Sequence, residues 1–298
     1  MIKNFIYDVF HISSADFFNI DINHDTPKFI QPYTVENLSS DIAKECNDIA
    51  VDFFNTVHTE LVNKNFKKAK ELFCNYLTEP KENCLGYAQT NTKGKGIKEM
   101  AGYAMNIILN EPHLINEITH IADLQLYNEQ LMHDRISDIY TNVTRLALNK
   151  YTLEQCKKYN MEHLISEQTI NPYWDITTHS WVTNQKERML VIDGKQILLV
   201  PKNFLQGSYG PILMYRHVIL PTLIERDLFN NQSSLIRERR NGEKYITKKE
   251  KNFELRNTGF IPSKRVMIEF AKNNSSCTLK LRKQLEENRN KKNKGRAN

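Results

Sequence analysis

The sequence lacks the residue patterns that mark secreted, zinc-binding and membrane-spanning proteins. Its 298 residues contain five cysteines, and no two of them have the C-x-x-C spacing of a zinc site. This scattered, odd-numbered set also fits no disulfide framework, so reduced thiols are expected. No stretch approaches the roughly 18 consecutive apolar residues of a transmembrane helix, and the N-terminus lacks the apolar run of a signal peptide. The sequence therefore predicts a cytoplasmic protein with no membrane span.

Motifs of several enzyme classes are absent as well. Neither the His-Glu-x-x-His motif of zinc peptidases nor the Gly-x-Ser-x-Gly motif of α/β-hydrolases occurs in the chain. Glycine is scarce, with ten residues in all. The glycine-bearing loop over 85–97 is followed by no Gly-Lys-Ser/Thr, so it is neither a Walker A sequence nor a dinucleotide fingerprint. Hydrolase triads and zinc peptidases are therefore not expected.

Positive charge is concentrated at one end of the chain. Residues 201–298 hold 22 lysines and arginines against 9 acidic residues, whereas residues 1–200 hold 19 against 26. Such a basic region is typical of proteins that bind nucleic acid, and an anionic membrane surface is the second class of partner. A solvated basic tail that only aids solubility is the remaining interpretation.

The hydrophobic pattern predicts a mixed α/β fold, with a small sheet flanked by long helices and a helical, basic C-terminal extension. The Asp193-Gly194 pair between two apolar runs is typical of a tight β-hairpin turn. We expect a core domain over 1–212, a basic helical region over 213–286 and a disordered tail over 287–298. The predicted helices lie over 34–77, 98–109 and 137–159. The predicted strands lie over 17–22, 121–127, 189–192 and 195–200, and an irregular stretch lies over 172–181.

A dense polar cluster, His133 to Asp138, opens the last of these helices. Asp134 and Asp138 are four residues apart, so both carboxylates point the same way if this turn is helical. Two carboxylates so placed hold Mg²⁺ through oxygen ligands and retained waters, which makes them candidate metal ligands and catalytic residues. The alternative is structural, because Ser137 or Asp138 is a good helix N-cap and Asp134 can pair with Arg135.

The glycine-bearing loop carries two cations, Lys93 and Lys95, ahead of a predicted helix. Glycines let backbone amides approach a phosphate, and a helix N-terminus favours an anion. Contact with phosphate or nucleic acid is therefore one interpretation of this loop. A flexible, solvated turn is the other.

Lys202 follows the apolar run Leu198-Leu199-Val200 and stands at the end of a predicted strand. In nucleases of the PD-(D/E)xK type, a strand-borne lysine assists a metal-bound water that attacks phosphate. Those enzymes usually carry an acid two residues before the lysine, where this chain has Val200. Lys202 is thus a candidate catalytic residue, with an ordinary surface lysine as the alternative.

The basic C-terminal third offers further contacts to a nucleic-acid backbone. Its arginine cluster spans 237–240, and Tyr245 and Phe253 provide rings on which bases can stack. The same charge run can also be a solvated helix face. The candidate nucleic-acid contacts are Lys93, Lys95, Arg135, Arg237, Arg239 and Arg240.

Four motifs carry a resemblance to a family of uncharacterised bacterial proteins. They are the Asp-then-Phe-Ile-x-Pro stretch, Leu-Gly-Tyr with its glycine loop, Asp-Arg-Ile-Ser-Asp-x-x-Thr-Asn, and Leu-Leu-Val-Pro-Lys. The resemblance implies a component of mobile-element or phage-defence loci and no established activity. This chain departs from the pattern at Lys95 and His133. The motifs occupy Asp25 to Pro32, Leu85 to Ile97, Asp134 to Asn142 and Leu198 to Lys202.

The leading hypothesis is a nucleic-acid-acting defence protein, specifically a Mg²⁺-dependent nuclease. Asp134 and Asp138 would hold the metal, Lys202 would neutralise charge nearby, and the basic third would grip the backbone. One rival is a non-catalytic nucleic-acid-binding or adaptor subunit of a multi-protein defence complex, in which a partner subunit does the chemistry. Another is a nucleotide-binding enzyme that uses the loop around Lys93 and Lys95.

Overall fold

The computed structural model describes residues 4–87, 96–128, 131 and 133–205, together with parts of 234–283. Contacts divide the chain into two units, Met1–Gly207 and Ser208–Asn298. The boundary expected at residue 212 and the tail expected over 287–298 fall outside the described residues. The fold class is confirmed: small antiparallel sheets lie among several helices.

The N-terminal unit contains seven α-helices and five strands within its described residues. The described helices are too short or too polar to cross a bilayer. The helices are α1 Ile6–Phe10, α2 Pro32–Val35, α3 Asp41–Val62, α4 Phe66–Cys74, α5 Ile97–Asn110, α6 Leu124–Tyr127 and α7 His133–Lys158. The strands are β1 Ile165–Thr169, β2 Tyr173–Asp175, β3 Ser180–Val182, β4 Lys186–Ile192 and β5 Lys195–Ile197.

Helix α7 is the centre of this unit, because most of its circumference is buried. It packs against α3, whose apolar residues recur at three- and four-residue steps and face the core. It also packs against β2 and β4. Unusually for a core helix, α7 buries many polar side chains, including Asn142 and Arg145. Their hydrogen bonds connect the helix to the surrounding loops and give it one defined orientation.

The predicted hairpin is confirmed, and its two strands, β4 and β5, belong to a three-stranded antiparallel sheet in the order β1-β4-β5. The turn residues Asp193 and Gly194 both have positive φ, 50° and 77°. This is the backbone that a two-residue primed turn requires, and the aspartate–glycine pair tolerates it. β1 pairs with β4 so that Ile165 lies opposite Leu190.

Two expectations for the first half of the chain were wrong. The helical pattern over 34–77 is divided between α2, α3 and α4, and Lys64 takes a left-handed backbone (φ 61°) between the last two. No strand forms over 17–22; Phe17 makes a single bridge to Pro201 and Asp21 a single bridge to Phe5. The alternating pattern therefore reflects side-chain burial without a continuous ladder.

Two further expectations were wrong in the middle of the chain. Residues 121–127 form a 3₁₀ turn followed by α6, because His120 and Asp123 make a reciprocal capping box that starts a helical turn. The stretch over 172–181 is the β2–β3 hairpin. Its two indole N–H groups donate to other elements, Trp174 to Asp52 Oδ2 at 2.7 Å and Trp181 to the Leu72 carbonyl at 2.7 Å.

In the C-terminal unit, the described residues include a short antiparallel hairpin of β6 Arg237–Glu238 and β7 Lys244–Tyr245. A turn at Asn241-Gly242 connects these strands, and Gly242 has a φ of 83°. Residues 267–268, 271–272, 277–280 and 282–283 are helical.

Candidate functional site

The first two turns of α7 place Asp134, Arg135 and Asp138 in one pocket of the N-terminal unit. The two aspartates are one helical turn apart, and both line this pocket. Their side chains are 26% and 13% exposed, so Asp138 is the more buried of the pair. We call this the acidic pocket; its polar and aromatic lining residues are Asp25, Glu79, Lys81, Tyr87, Asp134, Arg135 and Asp138.

Arg135 is the central cation of the acidic pocket. Its Nη1 atom donates to both carboxylate oxygens of Glu79, at 3.0 and 3.1 Å. The same atom lies 3.4 Å from Asp138 Oδ2, and Nε lies 3.9 Å from Asp134 Oδ2. One guanidinium therefore contacts three carboxyl groups and offsets part of the repulsion between those that are ionised.

Glu79 joins the pocket to the start of helix α5. Its Oε1 atom accepts a hydrogen bond from the backbone N–H of Ile97 at 3.0 Å. This N–H is at the first residue of the helix and has no partner within the helix, so a carboxylate there satisfies it and complements the helix dipole. Glu79 thus fixes α5 and Arg135 at once.

Asp25 reaches the pocket from the N-terminal segment. Thr26 forms a parallel bridge with Leu85, and the Gly86 N–H donates to the Thr26 carbonyl at 2.9 Å. Gly86 has a φ of +144°, a conformation that L side chains rarely adopt, and an added Cβ would lie 3.7 Å from Asp25 Oδ2. Burial raises the pKa of the Asp25 carboxyl, and nearby Lys81 opposes that rise.

Asp138 holds a proton at neutral pH. Burial and the negative charge of Glu79 raise the pKa of its carboxyl to about 8, against the opposing effect of Arg135. The pocket therefore combines a neutral carboxylic acid with ionisable neighbours. Such a combination is typical of sites that move protons, although structural ion-pair networks also produce it.

A buried polar network beneath the pocket positions Glu79. The fully buried Arg145 donates from Nε to Glu82 Oε1 at 2.6 Å and from Nη2 to Thr78 Oγ1 at 3.1 Å. The Asn142 side-chain amide makes two hydrogen bonds with the backbone of Thr78, accepting from its N–H and donating to its carbonyl, each at 2.8 Å. Segment 78–82 is therefore bound to α7 on both sides of Glu79.

The donors of the acidic pocket suit a hard cation, but they are not arranged as a complete metal site. Within the described residues, no group of three or more His, Cys, Asp or Glu side chains is placed to hold one metal ion. Mg²⁺ is often held by only one or two carboxylates, with waters and substrate phosphates as the other ligands. Asp134 and Asp138 could supply those two, once the proton on Asp138 is released and Arg135 is displaced.

A family model described as "Domain of unknown function (DUF8370)" matches residues 9–210. The chain belongs to this family. No curated protein matches the chain, and no solved structure does. Every residue of the acidic pocket lies inside the DUF8370 match, whereas the arginine cluster over 237–240 lies beyond it.

The structure brings Asp134, Arg135 and Asp138 together and places Lys202 elsewhere in the DUF8370 segment. Lys202 does not line the acidic pocket. Its backbone N–H donates to the Asp16 carbonyl at 2.8 Å, and its ammonium lies 5.4 Å from the centre of the Tyr7 ring. A charge-neutralising role beside the two aspartates would therefore need another cation, and Arg135 already has that position.

The other predicted contacts divide between described and undescribed residues. Lys93 and Lys95 lie outside the described residues. Arg237 and Arg239 are more than half exposed, but each is paired with a glutamate, at 2.6 Å and 2.8 Å. Arg240 is exposed, and its side chain makes no ion pair within the part of the chain that the structure describes.

Four polar or aromatic residues of the acidic pocket were not among the predicted site residues: the carboxylates Glu79 and Asp25, and also Lys81 and Tyr87. Glu79 precedes Pro80 in a stretch with no periodic pattern, and it lies 56 residues from Arg135 in sequence. Asp25 carried one signal, its place at the start of the first family-like motif. Neither residue type nor spacing indicated that these carboxylates meet α7.

Proposed function

We propose that this chain binds nucleic acid through its basic C-terminal third. The observation that carries the proposal is the charge distribution, 22 basic against 9 acidic residues over 201–298. Lysine and arginine side chains that neutralise phosphates release condensed counterions, which drives binding without sequence preference. Arg240 is exposed and makes no ion pair within the described residues, and the Arg239 guanidinium lies 5.0 Å from the Tyr245 ring centre. Both support a surface that contacts phosphates and stacks on bases.

We propose as a second step that the acidic pocket cleaves the bound nucleic acid in a Mg²⁺-dependent reaction. The specific observation that favours it is that Asp134 and Asp138 line one pocket with two further carboxylates. Mg²⁺ bound by this pair would neutralise phosphate charge and lower the pKa of a bound water. In this chain, Asp134 and Asp138 would hold the ion, and Arg135 would stabilise negative charge on the phosphate. A role in defence against phages or mobile elements rests on the sequence resemblance alone.

Binding is tested by titrating labelled DNA and RNA, single- and double-stranded, over a range of salt concentrations. Six phosphate contacts would give a log–log salt slope near −5 on duplex DNA, from about −0.9 per contact. Arg240→Gln should reduce the magnitude of that slope by about 0.9, the value of one phosphate contact. Lys67→Gln, which removes an exposed lysine of the N-terminal unit, should leave it unchanged. Absence of salt-sensitive binding to all four substrates would refute the proposal.

Cleavage is tested on the same substrates with Mg²⁺ or EDTA. Mg²⁺-dependent cutting that Asp134→Asn and Asp138→Asn abolish without loss of binding would support the second step. If Asp138→Ala leaves Mg²⁺-dependent cutting intact, Asp138 is not a metal ligand. Binding without cutting would favour the non-catalytic adaptor.

A further inference from the structure

A second pocket adjoins the acidic pocket and is lined by different chemistry. Its volume is about 530 Å³, within the range of pockets that hold small ligands. Two lysines line it, Lys81 and Lys195, together with the amide residues Asn23 and Gln196. We call this the lysine pocket; the lining residues used here are Asn23, His24, Asp25, Lys81, Lys195 and Gln196.

The two lysines leave donors available in this pocket. The Lys195 ammonium donates to the Ile22 carbonyl and to Asn23 Oδ1, each at 3.0 Å. An ammonium has three N–H groups, so one remains for a ligand. Lys81 is exposed, and its ammonium makes no ion pair within the described residues. Both side chains can therefore receive an anionic group.

The lysine pocket and the acidic pocket meet, because Asp25 and Lys81 line both. Tyr87 also lines the acidic pocket, and it is the most exposed of the described large aromatic residues at 61%. Its ring centroid lies 5.0 Å from that of Phe29, which supports it from one side. An exposed ring on a supported aromatic pair is a stacking platform, and every nucleobase has a face that can use it.

We infer that these adjoining pockets bind one stretch of single-stranded nucleic acid, with a base stacked on Tyr87 and a neighbouring phosphate at Lys81 and Lys195. Cationic side chains along a groove and an exposed ring beside it are the combination that recognises single strands. In a duplex the base faces are already stacked on each other, so Tyr87 would have nothing to contact. The inference rests on the proposed function and adds that the nucleic acid bound at the acidic pocket is single-stranded.

The carboxylates of the acidic pocket do not prevent a phosphate chain from crossing it. Arg135 contacts three of them, and Lys81 stands beside Asp25. The remaining repulsion is smaller than the number of acidic side chains suggests, and the lysine pocket lies next to it.

The test compares binding of a labelled oligonucleotide as a single strand and as a duplex, by fluorescence anisotropy in EDTA. Tyr87→Ala should weaken single-strand binding roughly 5- to 100-fold and change duplex binding by less than about twofold. Tyr87→Phe keeps the ring and should restore the affinity. Tyr103→Ala removes another exposed tyrosine, from helix α5, and should have no effect. Lys81→Gln should reduce the single-strand salt slope by about 0.7.

The outcomes separate this inference from the proposed function. If the native chain binds nucleic acid but Tyr87→Ala and Lys81→Gln bind single strands as tightly as it does, the inference is wrong and the C-terminal contacts stand. If the native chain binds neither form, both fail. Equal melting temperatures of the variants and the native chain would show that a loss of affinity is not a loss of fold.

Discussion

The protonated state of Asp138 makes a direct prediction about stability. Its carboxyl pKa rises from 3.8 to about 8 in the folded protein, first because of burial and second because of Glu79. Asp138→Asn replaces this group with a neutral side chain of the same shape, whose oxygen can still accept from Arg135. We therefore expect the variant to be more stable than the native chain at alkaline pH and about equally stable at acidic pH.

The sign follows from proton binding in the two states. Between about pH 4 and pH 8 the folded protein holds a proton on Asp138 that the unfolded chain releases. The free energy of unfolding then falls as the pH rises, by about 1.4 kcal/mol per pH unit for one proton. The stabilising contribution of Asp138 is complete below about pH 4 and is lost as the pH passes about 8.

The size of the effect follows from the same pKa difference. A shift of about four units gives an upper limit of about 5 kcal/mol between acid and alkaline pH. The Asp138 side chain is 13% exposed, and local relaxation admits more water once it ionises. From pH 5 to pH 8 the limit is about 4 kcal/mol, from three pH units at about 1.4 kcal/mol each. We expect roughly half of it, about 2 kcal/mol, as the stability that Asp138→Asn gains over the native chain in this range.

Urea unfolding followed by tryptophan fluorescence measures this difference. The only tryptophans of the chain, Trp174 and Trp181, both lie in the N-terminal unit, so the signal reports on the unit that contains the pocket. Asp48→Asn removes an exposed carboxylate from helix α3 and serves as the matched control. Its stability should depend on pH in the same way as that of the native chain. If native chain and Asp138→Asn lose stability in parallel from pH 5 to pH 8, Asp138 is ionised at neutral pH and the reasoning is refuted.

The neighbours of Asp138 give two further predictions. Glu79→Gln should lower the pKa of Asp138 because it removes a negative charge, and Arg135→Gln should raise that pKa because it removes a positive charge. Carboxyl ¹³C NMR titration would show the two pKa shifts with opposite signs. Shifts of the same sign would contradict the assignment of these two residues as the charges that set the pKa of Asp138. Glu82→Ala should destabilise the N-terminal unit by about 3–5 kcal/mol, because it leaves the fully buried Arg145 without its carboxylate. Urea unfolding at pH 7 measures this, and a loss below about 1 kcal/mol would show that water replaces the carboxylate.

The local elements that the sequence predicted are those that local chemistry determines. Helix α7 begins four residues before the predicted start and ends within one residue of the predicted end, because its apolar residues recur at helical spacing. The hairpin turn at Asp193-Gly194 needs positive φ at both residues, and an aspartate–glycine pair is typical of such turns. In both cases a few adjacent residues contain the whole signal.

The acidic pocket was predictable only in part, because only some of its contacts join residues that are close in sequence. Asp134 and Asp138 share a helix face, so their proximity follows from helical geometry. Glu79 and Asp25 arrive from separate segments, and their positions depend on buried bonds between Thr78 and Asn142 and on the short pairing at Gly86. A single sequence contains no periodic signal for contacts of this kind.

The two roles proposed for the acidic pocket make opposite demands on Asp138. A single strand crosses the pocket more easily when this carboxyl is neutral, whereas a Mg²⁺ ligand must be ionised. Metal binding must therefore displace the proton, and its apparent affinity should rise with pH until the pH passes about 8. Strand binding measured in EDTA should change in the opposite direction, because ionised Asp138 repels phosphate. At neutral pH the proton on Asp138 aids binding of the strand and opposes binding of Mg²⁺. Cleavage should therefore be assayed both below and above pH 8.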